Sequence, residues 1–388
     1  MTLSTGGGPL AGVRVIDFSI MIAGPYCTRL LADMGAEVIK IEPPEGDPMR
    51  SRAPLRDGYS AYFGHLNTGK RSVRLDLRTE PGLRAAHDLV AAADVVVENF
   101  RPGVMARYGL DEKSCRARDP RLVYCSVSGY GQSGPSAELP AFAQIVHAMS
   151  GYDMANFRYQ KDAVGPASCG IFIADILGAA LAYGAVVTGL VARERTGLGE
   201  GLDVSLLEAM LSMLVFEIQA AQVADRPKKT VYRPVRAKDG FLMISPVTER
   251  NFRALAAGMD RPGLLTDARF AHIADRERNW DELYDEIEGW AAHRTADQVE
   301  ERMSAAGVPC GRYREVAEVF EDPQTVSRGT LRKIRDGAGE YLATAPPFMV
   351  ASRPRAAMPD TVAELGADTA FVLREVAGYG EAEISAVS

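Results

Sequence analysis

Short apolar runs alternate with stretches of helical period along the first part of the chain. Val13-Arg14-Val15-Ile16-Asp17-Phe18 predicts a buried strand, Pro25 to Met34 a helix, and Glu37-Val38-Ile39-Lys40-Ile41 a second strand. The rhythm resumes after a looser stretch, with a helix over Gly82 to Ala92 and strands at Asp94-Val95-Val96-Val97-Glu98 and Leu122-Val123-Tyr124-Cys125-Ser126-Val127. Strands spaced by helices in this way form a parallel sheet with helices on its faces, an α/β architecture.

From Phe142 to about Ala221 the pattern is largely helical, broken by the turn Thr196-Gly197-Leu198-Gly199 and a short strand at Gly201 to Val204. The polar, proline-bearing run Asp225 to Lys238 reads as a linker. Beyond it, a strand at Phe241 to Ser245 and short amphipathic helices at Asn251 to Met259, Trp280 to His293 and Ala296 to Ala306 predict a second, smaller domain. Mixed strands and loops follow near Leu331 to Met349, before a last helix at Asp368 to Ala377.

Composition narrows the class. At 388 residues, with 47% apolar and 24% charged residues, the chain exceeds what one core usually supports, so two domains are expected. A net charge of −7 argues against nucleic acid as a partner, which would need a basic face. Five cysteines without C-x-x-C spacing fit neither a disulfide framework nor a zinc site, and point to a reducing cytoplasm. The start, Met1 to Pro9, lacks the basic and apolar regions of a signal peptide. Ile171 to Ala192 is apolar except for Asp175 and Thr188, long enough to cross a bilayer. Its Gly and Ala content and the Arg193-Glu194-Arg195 that follows suit a buried core helix better, so no membrane is expected.

Several residues carry potential chemistry. The turn Met21-Ile22-Ala23-Gly24-Pro25 places small residues and a helix start at the end of a strand, where α/β sheets bind ligands, although it is not G-x-G-x-x-G. Lys70, Arg71, Arg74 and Arg78 would suit a polyanionic ligand or form an exposed basic edge. Asn99 and Phe100 follow another strand and could bond and stack on a base, or lie in a solvated loop. Asp175 stands near the start of an otherwise apolar helix, so it must be paired, neutral or functional. The five histidines are scattered and show no metal-binding spacing, so no metal is expected. Ser128-Gly129-Tyr130-Gly131 is not a nucleophile elbow.

Taken together, Gly12 to Phe18, Ala23-Gly24-Pro25, Gly35-Ala36-Glu37-Val38-Ile39-Lys40-Ile41-Glu42, Asn67-Thr68-Gly69-Lys70-Arg71-Ser72, Val97-Glu98-Asn99-Phe100-Arg101-Pro102-Gly103 and Thr196 to Gly199 resemble the class III coenzyme A transferases. This CaiB/BaiF family includes formyl-CoA and carnitine-CoA transferases and the α-methylacyl-CoA racemases. The likeness runs nearly the whole chain, through Val308-Pro309-Cys310-Gly311 and Ala345-Pro346-Pro347-Phe348. It implies a Rossmann-like large domain over residues 1–224, a small α+β domain with linkers over 225–325, and a segment, 326–388, that returns to the large domain. It further implies an interlocked homodimer that uses coenzyme A and acyl-CoA as substrates and holds no permanent cofactor. Asp175 falls on the catalytic aspartate, and Met21, Ile22, Ala23, Leu75, Arg78, Asn99, Phe100, Arg107 and Leu206 on positions that hold coenzyme A.

Two departures from the family pattern bear on substrate. The formyl-CoA branch has a glutamine where Ile22 stands and a glycine-rich flap where Thr230 to Gly240 has one glycine, so formyl and oxalate are poor guesses. The racemase branch has a histidine-aspartate pair where Phe142-Ala143 stands, although His147 lies one helical turn on and keeps racemisation as the alternative. The expected chemistry is attack by Asp175 on a thioester, giving a mixed anhydride and then an aspartyl-CoA thioester. The Gly170 region and the Tyr130-Gly131 turn are candidate oxyanion donors, and Gln144 a candidate for orienting the acceptor. An NAD-linked dehydrogenase and a non-catalytic CoA-binding subunit are the other classes to separate.

Overall fold

Six strands, β1 (Arg14–Asp17), β2 (Glu37–Glu42), β3 (Arg71–Arg74), β4 (Val95–Glu98), β5 (Val123–Ser128) and β6 (Gly201–Ser205), pair in parallel in the order 3-2-1-4-5-6. The computed structural model that gives this topology describes residues 7–224 and 231–387. Met1–Gly6 of the expected N-terminal stretch, residues 225–230 of the expected linker, which include Thr230 of the flap-equivalent segment, and Ser388 lie outside the described residues.

β4 is buried at all four positions and β5 at all six, as strands covered by helices on both faces must be. The pleat divides them: Val15, Val95, Val97, Val123 and Cys125 enter one core, Ile16, Val96 and Tyr124 the other. The first core is closed by the helix Ala23–Asp33 and by the long helix Ile173–Thr196. The second is closed by the helices Glu80–Ala91 and Thr369–Ala377, so the C-terminal segment packs against the sheet. Each fully buried Val, Leu or Ile on these faces contributes about 1.5–3 kcal/mol.

The chain divides into two units by its internal contacts: Met1–Gln219 with Gln324–Ser388, and Ala220–Pro323. The second unit has its own antiparallel sheet of three strands, Val235–Arg236, Phe241–Ile244 and Cys310–Arg312, with the middle segment central. The helices Glu249–Gly258, Trp280–Ala291 and Ala296–Ala305 supply Phe252, Leu255, Ile287 and Val299 to its separate core.

Three stretches differ from expectation, the first being the expected linker Asp225 to Lys238, in which Val235–Arg236 form a strand of the small sheet and Val235 is buried in that unit's core. Residues 159–172 are not helical, because Gly165, Pro166 and Gly170 interrupt the run between Tyr152–Arg158 and the long helix. A short helix also follows the expected last one, at Glu381–Val387, anchored by buried Ile384. The long helix ends where Gly197 takes the left-handed conformation, φ 77°, and its N–H bonds the Arg193 carbonyl at 2.8 Å. This is also the one helix among the described residues that is long and apolar enough to span a membrane, and only 39% of its most apolar window is buried within the chain. Ile176, Leu181 and Val191 are outward-facing on it, 40%, 45% and 47% exposed.

Candidate active site

The strand order reverses direction between β1 and β4, and in such sheets ligands bind in the crevice beyond the carboxyl ends of the strands at that point. Here the crevice is built by the loop Ser19–Met21, which follows β1. Met21 adopts the left-handed conformation, φ 66°, which costs a side-chain-bearing residue about 1–3 kcal/mol and persists only where its surroundings hold it. Those surroundings fix nearly every backbone group of the loop. The Ser19 N–H donates to Asp17 Oδ1 at 2.9 Å and its carbonyl accepts from Lys40 Nζ at 2.6 Å. Asn99 clasps Ile20 from both sides, its Oδ1 accepting from the N–H at 2.9 Å and its Nδ2 donating to the carbonyl at 2.8 Å. The Met21 N–H donates to Asp47 Oδ1 at 3.3 Å. Gly24 is needed beneath, since a methyl there would lie 2.2 Å from Ser19 Cβ.

This loop stands on buried charges. Asp17 bonds Lys70 at 3.0 Å and Thr28 Oγ1 at 2.7 Å, and Lys40 pairs with Asp47 at 2.9 Å. Lys70 also donates to the Pro25 carbonyl at 2.9 Å and to Asn67 Oδ1 at 2.7 Å, so all its protons are used. Burial alone would raise the Asp17 carboxyl, but Lys70, Lys40 and the bonds from Ser19 and Thr28 together outweigh it and leave it below its ordinary value. Burial likewise pulls Lys70 down to about 8, against the attraction of Asp17.

Asp175 lies in the first turn of the long helix, half-buried, and its carboxylate has no hydrogen-bond or ion-pair partner among the described residues. Burial without compensation pushes it up to about 6. Its charge is felt by Tyr62, whose phenol is raised by burial first and by Asp175 second. Phe172, at the helix start, packs with Met21, Ile22, Tyr26 and Tyr62 on one apolar cluster that includes Phe63 and Leu66, which ties the Asp175 end of the helix to the β1 loop. Leu206, just after β6, rests against the same helix at Gly178, where a methyl would meet its Cδ2 at 2.3 Å.

The remaining expected contacts fall into three groups. Ile22 and Ala23 are buried at the start of the helix after β1, and Leu75, beyond β3, shares the second core with half-buried Phe100. Arg107 is exposed in the turn Met105–Tyr108 and makes no ion pair among the described residues. Arg78 is exposed but occupied, donating to Asp76 at 2.8 and 2.9 Å. The basic group near it is not a free phosphate cradle: Lys70 is buried on Asp17, and Arg71 pairs with Asp368 at 3.2 Å and Glu37 at 3.4 Å. Asn99 spends both ends of its amide on Ile20, which makes it a clamp on the loop. Gln144 is exposed, and the Gln132 N–H beside the Tyr130-Gly131 turn is bonded to Asp203 at 2.8 Å.

Sequence reading did not single out Tyr62, Asp47 or the Asp17–Lys70 pair. The last had a signal: Asp17 and Lys40 are ionic residues inside otherwise apolar strands, and such residues need partners. A cavity of about 410 Å³ opens beside the carboxyl end of β4, the middle of β5 and the first half of β6, with Glu98, Ser126 and Asp203 in its lining. Burial, with Asp203 adding to it, lifts Glu98 to about 7 against bonds from Ser126 and the Phe100 N–H. Neither Asp175 nor any expected coenzyme contact lines this cavity. Among the described residues no group of His, Cys, Asp or Glu is arranged to hold a metal ion.

Comparison with known proteins bears on the family and the fold. A family model described as CoA-transferase family III matches residues 10–369. An acetyl-CoA:oxalate CoA-transferase of Acetobacter aceti is 36% identical, over 84% of this chain and 86% of its own. A succinyl-CoA–D-citramalate CoA-transferase of Chloroflexus aurantiacus is 35% identical, over 84% of each chain. Among solved structures, a CaiB/BaiF family protein from Brucella suis superposes with a TM-score of 0.83 at 30% identity, covering 95% of this chain and all of the other.

Proposed function

The chain belongs to CoA-transferase family III and is an enzyme of that class, and from that premise we propose that it moves coenzyme A between carboxylic acids through acyl intermediates on Asp175. The observation that carries this reading is the Asp175 carboxylate itself: desolvated to a pKa of about 6, without a partner, at a helix start beside the β1 loop. Such a group is ionised at neutral pH yet not quenched by hydrogen bonds, which is what a weak nucleophile needs.

Asp175 attacks the thioester carbonyl of the donor acyl-CoA, the C–S bond breaks, and coenzyme A leaves as the thiolate from a mixed anhydride. The thiolate then attacks the aspartyl carbonyl of that anhydride and expels the donor acid as its carboxylate. The acceptor carboxylate attacks the resulting aspartyl-CoA thioester, the thiolate leaves, and its attack on the acceptor acyl carbon frees Asp175. No net proton is taken up or released. The anhydride survives only where water is excluded, and the apolar cluster around Phe172 supports that requirement.

For coenzyme A we propose Met21 and the helix start Ile22–Ala23 as one wall, with Phe100 as an apolar contact, buried Leu75 and Leu206 as the packing behind the site, and Arg107 as the unpaired cation for a phosphate. Arg78 serves the same end only by exchanging Asp76 for the ligand. Asn99 acts by holding Ile20. The racemase alternative needs a free base near the acyl α-carbon, and His147, the residue that kept it open, is fully buried with its Nε2 bonded to the Ala174 N–H at 3.1 Å.

The working form is proposed to be a cytoplasmic homodimer, interlocked as the family resemblance implies. The apolar outer side of the long helix supports a partner there, together with Phe142 and Ile171, 66% and 71% exposed. The relatives named above use acetyl-CoA or succinyl-CoA, so the first donors to test are succinyl-CoA, acetyl-CoA and butyryl-CoA against mono- and dicarboxylates, followed by mass spectrometry. New acyl-CoA species that vanish with Asp175→Asn support the reading. Exchange of an α-proton with solvent, with no change of acid on coenzyme A, would replace transfer by racemisation.

A further inference from the structure

The N–H groups of a helix's first turn have no partner within the helix, and a Ser, Thr, Asp or Asn side chain at the cap usually accepts from one of them. The helix that carries Asp175 begins differently. Phe172 occupies its cap position and makes no side-chain cap bond. The Ala174 N–H, immediately before Asp175, is instead bonded to His147 Nε2 at 3.1 Å. His147 sits, fully buried, on the helix Ala143–Met149, which packs against both the Asp175 helix and the helix Leu206–Met213. Its ring lies 5.8 Å from that of Tyr152, and its carbonyl accepts from Ser150 Oγ at 2.9 Å.

A ring nitrogen accepts a hydrogen bond only when it carries no proton, so this contact fixes the tautomer, with the single proton on Nδ1. Burial favours the neutral ring, with Asp153 pulling the other way. Nδ1 is itself buried with no partner among the described residues. A leucine would fill the same space without the orphaned Nδ1, but would leave the Ala174 N–H unpaired. The polar ring is therefore kept against a desolvation penalty, and the service it renders is the acceptor on Nε2.

We propose that His147 is a positioning residue for the transfer reaction, capping Ala174 so that the first helical turn and the Asp175 carboxylate are held at one setting with the Ala174 amide turned to the imidazole. This rests on the reading of Asp175 as the nucleophile. Without the cap the turn frays, and the unpaired Ala174 N–H stabilises the carboxylate in its charged, less reactive form. The other titratable groups about the pair are Tyr62 beside Asp175 and Tyr152 and Asp153 on the next helix; Glu208, the acid on the helix Leu206–Met213, is exposed.

The test compares H147L, which keeps volume but no acceptor, with H147Q, whose amide oxygen reaches near the Nε2 position, both in the full-length enzyme with an acid pair that it turns over. In H147L, kcat falls about 10- to 100-fold with KM for acyl-CoA little changed, as expected when a reacting group is misplaced. The acid limb of its kcat/KM profile moves down by about half a pH unit or more. H147Q recovers most of kcat and the wild-type limb. Wild-type kcat and limb in H147L, or equal losses in both variants without movement of the limb, would overturn the proposal and leave His147 a packing residue. Should H147L not fold, H147Q alone decides: near-wild-type kcat supports the acceptor's role, and a loss of about tenfold or more overturns it. Peptide mapping of the acyl label in H147Q separates the two readings, since a label on Asp175 preserves the nucleophile whatever the kinetics, and a label elsewhere removes it.

Discussion

Replacing Asp175 by asparagine removes a charge that the fold holds at a cost, so the variant that loses transfer should gain stability, and only where the wild-type group is ionised. The folded carboxyl titrates at about 6 against 3.8 for an unperturbed one, and each pH unit of that difference corresponds to about 1.4 kcal/mol. The ceiling on the penalty is thus about 3 kcal/mol, and about 1–2 kcal/mol once the part of the side chain that solvent reaches is allowed for. The sign follows from proton binding. Because the folded pKa is raised, the folded state binds more protons than the unfolded one between about pH 4 and pH 6, so wild-type stability falls as pH rises through that window and levels off above it. Asparagine does not titrate there, so the gap between variant and wild type is near zero at pH 4 and opens to its full size by pH 7. Urea unfolding at pH 4.5 and pH 8, followed by far-UV circular dichroism, measures it. Tryptophan emission would miss the effect, since Trp280 and Trp290 both belong to the unit Ala220–Pro323, and Asp175 to the other. A gap of the same size at both pH values, or a variant less stable than wild type at pH 8, would refute the desolvation argument.

Other consequences are as direct. Asn99→Ala releases both polar groups of Ile20 and lets the Met21 conformation relax, which should raise KM for acyl-CoA about tenfold or more, measured by initial rates, with the melting temperature little affected. Arg107→Ala should weaken coenzyme A binding by a similar factor in calorimetry, at no cost in stability, because the side chain has no partner to lose. Lys70→Met leaves the Asp17 carboxylate buried without its cation, and should destabilise the protein by about 3–5 kcal/mol in urea titrations. In wild type, kcat/KM should rise with pH through about 6 as Asp175 ionises, and a flat profile between pH 5 and pH 7 would speak against that residue.

The parallel sheet is legible in the sequence because its strands are buried on both faces, so that Val95-Val96-Val97 and Val123 to Val127 stand out as apolar runs between helices. The stretch after Arg158 is not, since periodicity alone reads through Gly165-Pro166. At the site, Asp175 is conspicuous because a lone acid in an apolar helix breaks the pattern. Roles that depend on partners far away in sequence leave no such mark. Asn99 reads as a ligand contact until its amide is seen to be spent on a residue 79 positions earlier. Lys70 reads as a surface cation until it is found on Asp17, 53 positions earlier. His147 reads as a stray base because nothing in the sequence shows that its neighbour is the start of the helix 27 residues on.

The central claim, that Asp175 carries the acyl group, is tested most directly by trapping it. Wild-type enzyme incubated with an acyl-CoA donor and quenched with hydroxylamine or borohydride should yield one modified peptide, mapped by mass spectrometry to Asp175, and the modification should be absent from a verified, non-deamidated Asp175→Asn preparation that still binds coenzyme A. A label on any other residue, or substantial transfer by that variant, would contradict the account.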